Sequence, residues 1–123
     1  MDTHVFIWWD GEDPALSSDL REAISDPANE IYVSAGLCLE NAVKRRRGKI
    51  AFAHGIAETV TRNRFVALPI TPGQAEHAGG LPPHHGDPFD RMLVAQATLE
   101  QMTLGTQDAM MRPYGIAVLG LRG

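Results

Sequence analysis

The stretch His84-His85-Gly86-Asp87-Pro88-Phe89-Asp90-Arg91-Met92-Leu93-Val94-Ala95-Gln96-Ala97 contains a helix start and one carboxylate that the helix does not need. Asp87 reads as the N-cap, because its short side chain can accept from the free amides of the first turn. Pro88 reads as the first helical residue: its φ is already set, and its missing N–H is one the helix would leave unpaired. Phe89, Met92, Leu93, Gln96 and Ala97 recur at the spacing of one helix face. Asp90 is left over. At the third helical position it either complements the helix dipole, worth about a few tenths of a kcal/mol, or it is there for chemistry.

Working outward, strands and helices alternate. Thr3 is the expected cap of a short helix from His4 to Trp9. Ser17 or Ser18 caps a second helix from Asp19 to Ser25, closed by Asp26-Pro27-Ala28-Asn29. Glu30 to Ala35 is a β-branched and aromatic run, read as a buried strand. Helices are predicted from about Leu37 to Arg47, from about Ala53 to Asn63 ahead of a strand Phe65 to Ile70, and from Thr71-Pro72 to Gly79-Gly80. After the helix from Asp87 to about Gln101, two strands are predicted, Met102 to Thr106 and Ile116 to Leu119, with a short helical segment near Ala109 to Arg112 between them. Strands joined by helices predict an α/β fold with one parallel sheet covered on both faces.

At 123 residues the chain is expected to be one domain, 1–123. It has 44% hydrophobic residues but no apolar run near the ~18 residues a membrane span needs, so a globular, non-membrane protein is expected. No export signal is visible in the N-terminal residues, which makes a cytoplasmic location the expectation. The lone Cys38 lies in a helical pattern and reads as a small core residue rather than a catalytic thiol. A net charge of −4 excludes broad attraction to nucleic acid, so any RNA contact needs a local patch. Arg45, Arg46 and Arg47, flanked by Lys44 and Lys49, form the one dense basic cluster. It is either a solvated helix face or a phosphate contact.

In a parallel α/β sheet, ligands sit beyond the carboxyl ends of the strands. Four acids fall near such ends: Asp2, Glu40, Asp90 and Asp108. Convergent hard oxygen ligands suit Mg2+ or Mn2+. Each acid also has an ordinary reading. Glu40 stands four residues before Lys44, the favourable order for a helix-surface ion pair. Asp108 fits a turn or a helix cap, and Asp2 fits a frayed terminus.

The run Asp2-Thr3-His4-Val5-Phe6-Ile7-Trp8-Trp9, the basic helix from Glu40 to Lys49, Leu68-Pro69-Ile70, the stretch from Leu81 to Ala97 and Thr106-Gln107-Asp108 together resemble the PIN-domain toxins of the VapC type. The resemblance spans nearly the whole chain, and Asp-Pro-Phe-Asp-Arg is its most specific block. It implies a three-layer α/β/α fold with a short parallel sheet and a metal-dependent endoribonuclease, silenced by a cognate antitoxin and usually dimeric. It further implies a catalytic quartet of Asp2, Glu40, Asp90 and Asp108, with Asp2 and Asp90 as primary Mg2+ ligands and Thr106 as a supporting hydroxyl. Lys44, Arg45, Arg46, Arg47 and Arg91 become the candidate RNA contacts, although Arg91 could equally pair with Asp90. Products with a 5′-phosphate and a 3′-hydroxyl follow from the same resemblance.

Three departures qualify it. Family members carry a short apolar strand ahead of the first aspartate, at the centre of the sheet. Here that aspartate is the second residue, so a truncated central strand is expected, from a mis-called start, a truncation or a degraded copy. Gly36-Leu37-Cys38-Leu39 precedes Glu40 where the family favours a serine and an aromatic residue, and Gly105 replaces a usual β-branched residue. Two other readings compete: a catalytically dead PIN-like module that only binds antitoxin, and a receiver-like phosphoacceptor domain, which would want paired acids at the first strand end. His84 and His85 have no third nitrogen or sulfur ligand, which argues against zinc. Trp8 and Trp9 fit a core or an interface better than base stacking.

Overall fold

The computed structural model describes residues 1–48 and 55–121. The expected helix start at Ala53 and the flanking Lys49 lie outside the described residues. Helix α1 spans Thr3–Asp10, and its cap is Asp2 rather than the expected Thr3. Asp2 is extended (φ −82°, ψ 174°), and its carboxylate accepts from the Val5 N–H at 3.0 Å. Ser17 caps α2 (Ser18–Ser25), which buries Leu20 and Ile24 one turn apart. Strand β1 (Tyr32–Ser34) runs straight into α3 (Ala35–Arg46), because Ser34 both ends the strand and caps the helix through the Gly36 N–H at 3.0 Å. The helix therefore starts two residues earlier than its pattern predicts.

Helix α4 (Ile56–Arg62) leads to β2 (Val66–Leu68), and α5 (Pro72–Gly79) opens with a reciprocal capping box between Thr71 and Gln74. Helix α6 (Pro88–Leu99) starts as predicted, with Asp87 accepting from the Phe89 N–H at 2.8 Å. The polar residue on its buried face, Gln96, donates to Gln74 Oε1 at 3.1 Å, which ties α6 to α5. Strand β3 (Leu104–Gly105), a 3-10 helix (Ala109–Tyr114) and β4 (Val118–Leu119) complete the order.

The fold is α/β with parallel strands, but the strands form two separate pairs instead of one sheet. β1 pairs with β2, Tyr32 opposite Val66, and β3 pairs with β4, Leu104 opposite Val118. The Ile31 carbonyl is turned toward β2 and the Leu104 amide toward β4, so Tyr32 and Gly105 turn their backbone groups toward the space between the pairs. The residue that bridges this space is Met1. Its amine donates to the Tyr32 carbonyl at 3.4 Å, and the next amide, on Asp2, donates to the Gly105 carbonyl at 2.9 Å. Beyond Met1 the two edges bound a groove of about 620 Å³, lined by Tyr32, Ser34, Leu93, Leu104 and Gly105 among others. With one partner apiece, all four strands are shorter than their sequence patterns.

Two apolar clusters flank the strands. One joins Phe6, Val33, Leu37, Leu93, Val94 and Met111. The other joins Val5, Leu16, Leu20 and Ile24, with Trp8 and Trp9 packed against it, so the tryptophan pair serves the core. Cys38 is half-buried against the first cluster, and burial pushes its thiol pKa up, away from a reactive thiolate.

Candidate functional site

The fully buried Thr106 links the start of the chain to its last acid. Its hydroxyl donates to Asp2 Oδ2 and accepts from the Asp108 N–H at 3.0 Å. Asp2 is 3% exposed, and burial raises its carboxyl pKa, opposed by the Thr106 hydroxyl and the Val5 amide. On the other side of Asp2, Thr3 donates its hydroxyl to Glu40 Oε1. The Thr3 hydroxyl expected to cap α1 is thus spent on the second acid. Glu40 is 4% exposed, and its Oε2 accepts from Lys44 Nζ at 2.9 Å, so the helix-surface ion pair also forms.

Asp108 caps the 3-10 helix through Oδ1, which accepts from the Met110 N–H at 2.9 Å. Its Oδ2 lies 2.9 Å from His85 Nε2. The same nitrogen lies 3.2 Å from Asp90 Oδ2. One ligand atom from each of His85, Asp90 and Asp108 falls within 4.8 Å of the other two.

Asp90 differs from the other three acids. Asp2 and Asp108 each cap a helix and Glu40 pairs with a lysine, so the ordinary readings of Glu40 and Asp108 are realised, whereas Asp2, buried and capping α1, is not a frayed terminus. Among the described residues, the carboxylate of Asp90 has His85 as its ion-pair partner and caps nothing. Its pKa is raised to about 7, first by burial and then by the charge of Asp87; Asp2 and Glu40 add repulsion, and His85 opposes it. Asp2, Glu40 and Asp90 therefore share one electrostatic environment, although they come from three separate segments.

This donor set fits a divalent cation. It is rich in hard carboxylate oxygens; Lys44 sits at the rim and is taken by Glu40, and the Met1 ammonium beside Asp2 donates to the Tyr32 carbonyl. The Asp90 carboxyl is pushed up to about 7 by burial first, with the charges of Asp87, Asp2 and Glu40 adding to it, and a bound cation would favour its ionised form.

The basic residues divide. Arg45, Arg46 and Arg47 are exposed at the C-terminal end of α3, where cations also complement the helix dipole. Arg91 is otherwise employed. Its guanidinium donates to the carbonyls of Ala78 at 3.1 Å, Gly79 at 3.3 Å and Leu81 at 2.8 Å, holding the end of α5 and the following turn. This corrects the expectation that Arg91 pairs with Asp90. His85 is the site residue that sequence reasoning passed over, because it was weighed only as a zinc ligand. The available signal was its place two residues before the Asp87 cap, which brings the imidazole back onto the helix start.

The PIN-domain family profile matches residues 1–116. Ribonuclease VapC22 of Mycobacterium tuberculosis is 31% identical over 117 residues, covering 93% of this chain and 89% of the relative. No solved structure matches the chain.

Proposed function

The chain belongs to the PIN-domain family, in its VapC-type branch, and from that premise we propose that it is the Mg2+-dependent endoribonuclease toxin of a type II toxin–antitoxin pair. The observation that carries this reading is Asp90, a half-buried carboxylate with no capping role, held at about 7 among Asp2 and Glu40. Asp2 and Asp90 would hold the cation directly, with Glu40 and Asp108 completing the site. A bound Mg2+ or Mn2+ supplies a water of lowered pKa and neutralises charge on the phosphate under attack.

The chain's own residues supply the rest. Thr106 and the Val5 amide orient the two oxygens of Asp2, and Thr3 and Lys44 orient those of Glu40. A carboxylate of the quartet takes the proton of the attacking water, and cleavage leaves a 5′-phosphate and a 3′-hydroxyl. Arg45, Arg46 and Arg47 hold the RNA backbone, with Lys44 shared between phosphate and Glu40. The partners are RNA and a cognate antitoxin, the active form is a homodimer, and the site of action is the cytoplasm. No helix among the described residues is long and apolar enough to cross a membrane.

A second reading rests on the split sheet: a catalytically impaired PIN module that keeps only antitoxin binding, because Asp2 sits at the end of an unfilled groove. Incubating the purified protein with structured RNAs and Mg2+ separates the two. Cleavage that stops with EDTA and in Asp90→Asn supports the nuclease. Intact RNA with antitoxin binding retained supports the impaired module.

A further inference from the structure

His85 lies between two of the proposed site's carboxylates, and its backbone N–H and both ring nitrogens are engaged. Its Nδ1 accepts from the Asp87 N–H at 3.1 Å. An imidazole nitrogen that accepts has no proton, so in the neutral ring the proton is on Nε2. Nε2 is the atom that lies 2.9 Å from Asp108 Oδ2 and 3.2 Å from Asp90 Oδ2. The ring is anchored from behind as well. The His85 backbone N–H donates to the Tyr114 hydroxyl at 2.9 Å, and that hydroxyl donates to the Pro82 carbonyl at 3.0 Å. The neighbouring His84 ring meets Tyr114 edge-on at 5.0 Å. The turn leading into α6, which bears Asp90, is thereby tied to the 3-10 helix that Asp108 caps.

We propose that His85 is a positioning residue for the metal centre: its Nε2–H spans Asp90 and Asp108 and sets their separation, while the imidazole itself stays out of the coordination sphere. The inference rests on the nuclease reading of the site. Asp90 and Asp108 belong to different elements, and like charges would drive their side chains apart in the absence of a donor between them. A shared N–H holds one oxygen of each near the other without using either carboxylate's remaining lone pairs. Direct ligation through Nε2 would require its lone pair and move the proton to Nδ1. There it would oppose the Asp87 N–H, donor against donor, and leave that amide without its acceptor. Metal centres are commonly tuned by such partners outside the ligand set, and losing one typically weakens metal binding about 10- to 100-fold.

The test uses the full chain without RNA. Mn2+ binding is titrated by electron paramagnetic resonance in wild type, His85→Ala and His85→Gln, and the histidine tautomer is read by long-range 15N–1H NMR. Expected are an Nε2–H tautomer for His85, no directly bound 14N coupling on Mn2+, about 10- to 100-fold weaker binding in His85→Ala and substantial recovery in His85→Gln, whose amide N–H reaches the same place. An Nδ1–H tautomer, a directly bound nitrogen, or Mn2+ binding in His85→Ala within about twofold of wild type overturns the proposal. If His85→Ala does not fold, the tautomer and the 14N spectrum of wild type still decide. A chain that binds no Mn2+ at all overturns this inference together with the nuclease reading. Expected His85 results in a protein that leaves RNA intact overturn the nuclease reading alone.

Discussion

Thr106 gives its hydroxyl proton to Asp2 across 104 positions of sequence, and the same oxygen receives the amide of Asp108. One buried side chain thus orients the first acid and ends the strand that leads to the last. Thr106→Val keeps the shape and removes both bonds, leaving a buried carboxylate oxygen and a partly buried amide without this partner. The expected loss is about 1–3 kcal/mol, measured as a shift in urea midpoint at unchanged slope. Thr106→Ser, which keeps the hydroxyl, restores most of it. Equal midpoints for the valine and serine variants would count against the bridge.

The Asp90 environment predicts an unusual pH dependence. Its folded pKa, about 7, lies above the ordinary 3.8, so between those values the folded chain holds a proton that the unfolded chain has released. The stability from this group is complete below 3.8 and declines as pH rises toward about 7. Asp2, also raised by burial, acts in the same direction. In EDTA the urea midpoint should fall across this window, and Asp90→Asn should flatten the fall. Added Mn2+ should reverse the trend, because the deprotonated carboxylate is the ligand, so its stabilising effect grows with pH. A wild-type midpoint that rises from pH 4 to 7 in EDTA would contradict this account of the site.

What could be read from the sequence was what depends on near neighbours. Asp87 and Pro88 show their roles within four residues, because capping is a first-turn interaction. The choice between Asp2 and Thr3 as the α1 cap needed the fold, since Thr3 has a better acceptor in Glu40, 37 positions away. Ser34 was hidden for a different reason: one residue ends a strand and caps a helix with no loop to mark the change. His85 depends on Asp108, 23 positions on, and Arg91 depends on carbonyls 10 to 13 positions back, neither of which leaves a periodic signal. The gap between β1 and β3 was foreshadowed only by the resemblance, because unpaired strand edges are a tertiary property.

The arginines at the end of α3 offer a salt-dependence test. Arg45, Arg46 and Arg47 are exposed, so replacing them with alanine should leave the melting temperature within a few degrees of wild type. RNA affinity, measured in the Asp90→Asn background so that substrate survives, should weaken. The slope of log affinity against log salt should shrink by about one for each phosphate contact removed. Arg91→Ala should behave in the opposite way, losing stability because the carbonyls of Ala78, Gly79 and Leu81 each lose a charged donor. An unchanged salt slope in the triple variant would place the RNA path elsewhere.

The groove between the strand pairs gives the most direct link from fold to site. Tyr32 and Gly105 face it from opposite edges, and the Met1 amine is buried at its end, where desolvation pushes its pKa down. Joining a short run of valine and isoleucine to Met1 replaces a buried ammonium with a peptide bond and puts a strand between two unpaired edges. Each fully buried aliphatic side chain is worth about 1.5–3 kcal/mol gross, an upper bound because the unfolded chain is already partly collapsed. Even one or two such side chains should therefore raise the urea midpoint by an amount equivalent to about 2 kcal/mol or more. A glycine-serine extension of equal length removes the same ammonium and buries almost nothing, so it should yield little of that gain. Since Asp2 follows Met1 directly, the apolar extension should also tighten Mn2+ binding by fixing the position of that carboxylate. If the two extensions match in stability and in Mn2+ affinity, the groove does not accept a strand, and the position of Asp2 does not depend on the split sheet.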